Sequence, residues 1–230
     1  MRRRFLVFFI LVNLGAINAR AENIRFTVLG LYGLSNMTFE STSTNDFQQQ
    51  DGFNSYTGSQ TKQHGSFSFG ALFEFPLQQL WSLETGVVYL ERGYRKEIKF
   101  FDETTSYIDY KWKNIFIPLV GRFRPTKMFT GFIGGYYNVG VGKVSQKMKG
   151  QPEQTDTFKN NGLKTADYGL TYGAGLNLKI NNKTDMLIEL RFNEGLTNSS
   201  ELETVDQFTG NRTETKAKMT DVWLVLGFLI

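Results

Sequence analysis

ADYGLTYGAGLNLKI, residues 166–180, alternates without a break. Ala166, Tyr168, Leu170, Tyr172, Ala174, Leu176, Leu178 and Ile180 are apolar. Asp167, Gly169, Thr171, Gly173, Gly175, Asn177 and Lys179, which fall between them, are small or polar. A period of two is the mark of a strand; a helix needs apolar residues at i, i+3, i+4 and i+7. The three glycines would each cost a helix about 1 kcal/mol relative to alanine. After the polar turn 181–185 the alternation resumes, with Met186, Ile188, Leu190 and Phe192 on one face. Glu189, Arg191, Asn193, Gly195 and Thr197 take the other face, and Leu187 is the one apolar residue among them. Residues 166–197 therefore read as one long β-hairpin. Each arm exceeds the roughly 5–6 residues usual in soluble proteins and reaches the roughly 9–11 needed to cross a bilayer.

The N-terminus indicates export. Arg2-Arg3-Arg4 forms a basic start, Phe5 to Ile17 is apolar apart from Asn13, and Ala19-Arg20-Ala21 has the small-x-small form of a cleavage site. That apolar run is too short to span a membrane as a helix. The expectation is a signal peptide over 1–21 and one domain over 22–230. The leader holds four arginines and no acid, so the remainder carries 22 basic and 22 acidic residues. Charge then gives no support to nucleic-acid binding. The chain has no cysteine, which excludes a disulfide scaffold, a cysteine-ligated metal and an anchor on an N-terminal Cys. No later stretch approaches 18 consecutive apolar residues.

Eight alternating segments can be laid out, at about 24–34, 66–76, 81–95, 107–124, 128–144, 166–180, 186–197 and 216–230. Long polar stretches follow the first, third, fifth and seventh (35–65, 96–106, 145–165 and 198–215), and short turns follow the second, fourth and sixth. This asymmetry and the even count are those of an all-β, eight-stranded antiparallel up-and-down transmembrane β-barrel with long loops outside and short turns in the periplasm. One face of the segments is almost wholly Phe, Tyr, Leu, Ile and Val. The other is rich in glycine rather than lysine, which suits a narrow lumen better than a solvated exterior. Phe69, Phe73, Leu170, Tyr172, Leu176, Ile188, Leu190, Leu224 and Leu226 are accordingly assigned to lipid. Phe75, Trp81, Phe129 and Phe228 near the turns, and Tyr32, Phe67, Tyr89 and Tyr168 towards the loops, form two aromatic girdles.

Six segments together carry a resemblance: GALFEFPLQQLWSLETGVVYLERG (70–93), IFIPLVGRF (115–123), GFIGGYYNVGVG (131–142), YGLTYGAGLNL (168–178), IELRFNEGLTN (188–198) and LVLGFLI (224–230). As a set they resemble the PorT-like outer-membrane β-barrel family of Gram-negative bacteria. The resemblance covers most of the chain from about Ser66 onward. It implies an eight-stranded outer-membrane barrel and no shared catalytic motif. Such barrels commonly end in an aromatic residue used in assembly, whereas this chain ends in Ile230 with Phe228 two before it.

Glu74, Glu84, Arg122, Glu189 and Arg191 fall on the inner face and are assigned to a structural charge network in the lumen. An eight-stranded barrel is just wide enough for side chains to fill. His64 is the single histidine and reads as a solvated loop residue near Ser66. A lipid-modifying enzyme acting at the rim through His64 is one alternative function; a soluble periplasmic, lipocalin-like carrier with its apolar face inward is another. The preferred expectation is a non-enzymatic integral outer-membrane protein without cofactor or metal, with a structural or surface-interaction role through four extracellular loops. Its expected partners are outer-membrane lipid, the barrel-assembly machinery and an unidentified extracellular molecule at the loops.

Overall fold

The computed structural model describes residues 24–43, 56–100, 103–181, 184–205 and 212–229. Ten strands occur in chain order: β1 (Arg25–Ser43), β2 (Tyr56–Pro76), β3 (Trp81–Phe100), β4 (Glu103–Phe123), β5 (Phe129–Met148), β6 (Gln154–Asp156), β7 (Ala166–Lys179), β8 (Asp185–Gly195), β9 (Ser200–Val205) and β10 (Arg212–Leu229). Eight of them, β1-β2-β3-β4-β5-β7-β8-β10, pair with their neighbours in turn, all antiparallel. β1 pairs with β10 from Thr27↔Leu229 to Ser43↔Thr213, and that last ladder closes the barrel. β6 and β9 are short additions on β5 and β10 at the loop end. No helix among the described residues is long and apolar enough to cross a membrane, and the strands supply the crossing instead.

The 166–197 hairpin is present as β7 and β8, in register from Gly169↔Gly195 to Lys179↔Asp185. The other strands are longer than the alternation alone indicates. β1 continues through Ser43, and β2 starts ten residues before Ser66, at Tyr56. The stretch 96–106, expected to be a connection, is mostly strand: β3 runs to Phe100 and β4 begins at Glu103. The two strands stay paired up to Phe100↔Glu103. The physical reason is that above the membrane both faces of a strand can be polar, so apolar alternation fades while backbone pairing continues.

Outward-facing apolar residues occupy only part of this length. On β1 they run from Phe26 to Leu34 and give way to Asn36 and Thr38; on β3 they run from Trp81 to Tyr89 and give way to Glu91. Nine residues at about 3.3 Å each span about 30 Å along a strand, and a tilt of about 40° brings this near the roughly 25 Å height of a lipid-facing band. Phe69, Phe73, Leu170, Tyr172, Leu190, Leu224 and Leu226 are exposed on this band, and Leu176 and Ile188, paired with each other, are half-exposed on it. Phe67 shows 81% of its surface. The rims are aromatic pairs: Trp81–Phe123 at 4.8 Å near the turns, and Tyr32–Phe67 at 4.9 Å and Phe69–Tyr89 at 5.4 Å nearer the loops. Bulky apolar residues thus point outward, opposite to the lipocalin-like alternative, which this arrangement overturns.

Depth along the band sets the cost of a charge. Leu224, opposite Leu190 on β8 and Tyr32 on β1, lies within the apolar band. Leu224→Arg is expected to lower unfolding free energy by about 2–4 kcal/mol, and Thr220→Arg, four residues nearer the loops, by about 0–1 kcal/mol. Equilibrium denaturant titration of the chain in lipid vesicles reads both.

Candidate functional sites of the lumen and the outer rim

The inward residues form alternating charged and apolar layers. Nearest the turns, Arg124 pairs with Glu74. In the next layer Arg122 of β4 bridges Glu84 of β3 and Glu189 of β8, its Nε donating to Glu84 at 2.6 Å. Arg191 donates to Glu84 and to Glu189, each at 3.0 Å. The four side chains form a closed ring of alternating sign, and all are buried. Phe132 lies beside it, with the Arg122 and Arg191 guanidinium carbons 4.9 and 4.7 Å from its ring centre. A Cβ on Gly173 would meet that ring at 2.6 Å, so glycine at 173 is a condition of Phe132 occupying the lumen.

Leu29, Leu31, Leu72, Val88, Leu90, Phe116, Tyr136, Trp223 and Val225 form an apolar layer above the ring. Leu29 and Leu31, which blur the alternation of β1, belong here: a filled lumen takes apolar residues as readily as polar ones. Next comes a second ionic cluster. Arg92 of β3 donates to Asp221 of β10 at 2.6 Å and to Asp167 of β7 at 3.1 Å. Asn138 of β5 donates to Asp167 at 3.1 Å, and Tyr136 lies under the guanidinium at 5.7 Å. A second apolar layer of Met37, Tyr94, Trp112, Val144, Phe158, Leu163, Ala217 and Met219 tops the barrel. Phe158 and Leu163 come from the segment after β6, which folds back over the loop end. Ser200 holds this segment by donating to the Gly162 carbonyl at 2.8 Å.

All five residues assigned to the lumen from sequence, Glu74, Glu84, Arg122, Glu189 and Arg191, lie buried there, the last four in one ring. Arg92, Asp167, Asp221, Asn138 and Arg124 fall outside that assignment. All five lie in phase with recognised inward positions, so the parity of the alternation carries the signal.

His64 is not a loop residue. It lies within β2, half-buried, with Nε2 3.4 Å from Glu91 Oε1. Pairing of β2 with β3 shifts register between Gln63↔Tyr94 and Phe69↔Tyr89. There Ser66 Oγ donates to the Glu91 carbonyl at 2.6 Å and the Glu91 N–H donates to Ser68 Oγ at 3.3 Å. The two hydroxyls replace the missing ladder bonds, and Ser66 is committed to backbone rather than to His64. Higher on the outer wall, Arg95 holds Asp109 by two hydrogen bonds of 2.6 and 3.0 Å. That contact keeps the Asp109 carboxyl below its ordinary pKa, with burial opposing. Among the described residues no three His, Cys, Asp or Glu side chains gather as a metal site.

Removing one member of a buried ion cluster leaves its partners charged and unpaired, at a cost of about 3–5 kcal/mol. Arg92→Met is expected to fall in that range. Adding Asp167→Asn and Asp221→Asn to it should restore most of the loss, as read by denaturant unfolding in detergent micelles.

A family model described as the outer membrane protein beta-barrel domain matches residues 17–201. Among solved structures the chain is similar to the outer membrane protein OprG from Pseudomonas aeruginosa, at 13% identity and TM-score 0.50, over 90% of this chain and 95% of that one. It is also similar to Ail, the attachment invasion locus protein of Yersinia pestis (15% identity, TM-score 0.40, covering 90% and 98%), and to Neisserial surface protein A (13%, 0.39, 87% and 99%). No curated protein matches the chain. The closed eight-stranded barrel and the match over residues 17–201 place the chain in the outer membrane protein beta-barrel domain family, as a protein of the bacterial outer membrane.

Proposed function

We propose that this chain is a non-conducting, non-enzymatic integral outer-membrane protein that acts at the cell surface through the portion of the barrel standing above the lipid. The observation that carries this reading is the layered filling of the lumen. The ring of Glu84, Arg122, Glu189 and Arg191 and the cluster of Arg92, Asp167 and Asp221 tie opposite walls together, with an apolar layer between them and a second one above, containing Phe158 and Leu163. A solute would have to break open both buried ion clusters, each at a high energetic cost.

The loop end supports the surface role. β2 and β4 are each 21 residues long, about 70 Å of strand at 3.3 Å per residue, of which the apolar band uses less than half. The remainder presents paired, polar backbone outside the membrane, a rigid platform for contact with other molecules. In this reading the PorT-like likeness marks the subfamily, the leader is removed before Glu22, and the barrel-assembly machinery inserts the chain. Lipid modification at His64 is less favoured, because Ser66 already donates to the Glu91 carbonyl.

Planar bilayers containing the purified protein should show no stepwise conductance; discrete openings would overturn the non-conducting reading. N-terminal sequencing of protein from outer membranes should begin at Glu22.

A further inference from the structure

Four lysines stand together on the outer wall just above the lipid-facing band. On β4 the outward apolar positions end at Ile115, and the next two outward residues are Lys113 and Lys111. Their inward neighbours Trp112 and Tyr110 pack in or against the upper apolar layer, which fixes the lysines on the outside. On β5 the outward apolar residues end at Val141 and are followed by Lys143 and Lys147, while Val144 points into the lumen and is fully buried. Register brings the two pairs together: Lys113 is opposite Val141, Lys111 opposite Ser145 and Asp109 opposite Lys147.

Between Lys111↔Ser145 and Lys113↔Val141, β5 carries extra residues as a bulge. Gly142 within it has φ +80°, a conformation that favours glycine. Bulges re-aim side chains, and this one carries the exposed Lys143 beside Lys111 and Lys113. The nearby carboxylates are already engaged: Asp109 by Arg95, Glu91 by His64, Glu153 by Ser145, and Asp156 by the Thr157 N–H and Asn160 Nδ2. Lys111, Lys113, Lys143 and Lys147 have no salt bridge among the described residues. At the corresponding level β1 presents the uncharged Asn36 and Thr38. β10 adds Lys218 opposite Thr38, whereas β4 and β5 together carry four lysines at this level.

We infer that this β4–β5 sector binds the phosphate groups of an outer-leaflet glycolipid. The patch is continuous with the lipid-facing band below it and lies on the side wall, within about 15 Å of the apolar rim at 3.3 Å per residue. A lipid whose chains lie against Ile115, Ile117 and Val139 brings its headgroup to the lysines. Lysine stems extend along apolar surface while their ammonium groups reach the interface, and anionic headgroups relieve the mutual repulsion of four clustered cations. A soluble acidic macromolecule would have to approach through the headgroup layer to reach them.

The test uses the full chain, refolded in zwitterionic detergent and titrated with a fluorescent bisphosphorylated glycolipid or its dephosphorylated form. The phosphorylated lipid should bind about tenfold more tightly or better, and Lys113→Gln with Lys143→Gln should remove about tenfold of that affinity. Lys113→Arg with Lys143→Arg should retain it. Lys127→Gln with Lys179→Gln, at the turn end, should leave it unchanged. Each variant is first confirmed as heat-modifiable on gels, so that loss of fold is separated from loss of charge. Equal affinity for the two lipids, or an unchanged Lys113→Gln, Lys143→Gln variant, overturns the inference. Competition by inorganic phosphate at the lipid's own concentration would do so too, because it assigns the site to a free anion. The bilayer conductance result is independent of all these outcomes.

Discussion

Closure of the backbone ladder is the constraint on which this structure depends. Hydrocarbon offers no hydrogen-bond partner, so a strand crossing it must have both edges paired. The β1–β10 ladder, which joins residues almost at opposite ends of the described chain, removes the last two edges. Antiparallel order then follows from short turns at one end, and the alternation of every strand follows from having lipid on one side and a lumen on the other.

Closure by eight strands leaves a narrow interior, and the interior is filled in a way that opposes its own cost. Buried charge is destabilising unless paired and hydrogen-bonded. Here the pairs join strands far apart in sequence: Arg92 to Asp221 across 129 residues, and Arg191 to Glu84 across 107. Each cluster therefore specifies which wall faces which. The apolar layers between and above the clusters exclude water from their flanks and strengthen the attraction. Where the lumen is too narrow for two side chains, one is absent: Gly173 admits Phe132, and Gly140 admits Phe158, whose ring a Cβ would meet at 2.5 Å.

The upper third of the barrel obeys different rules. Outside lipid, the backbone still pairs but side chains are free to be polar on both faces. That freedom hides the extensions of β1–β4 from a reading based on apolar periodicity, and it makes His64 look like a loop residue when it is in a strand. The irregularities collect at this level, with the β2–β3 shift completed by Ser66 and Ser68 and the β4–β5 bulge at Gly142.

Periodicity by itself determined the strand type, the outward stripe and the inward placement of Glu84, Arg122, Glu189 and Arg191, because a side-chain period of two is a local property of extended backbone. It also assigned lipid-facing residues such as Leu190 and Leu224, since the bilayer demands an unbroken apolar face. What only the tertiary structure decided was which inward charges meet, how the loop after β6 brings Phe158 and Leu163 over the top, and where the strands end. Those outcomes depend on register and barrel shear, which bring together residues a hundred positions apart and leave no local trace in the chain.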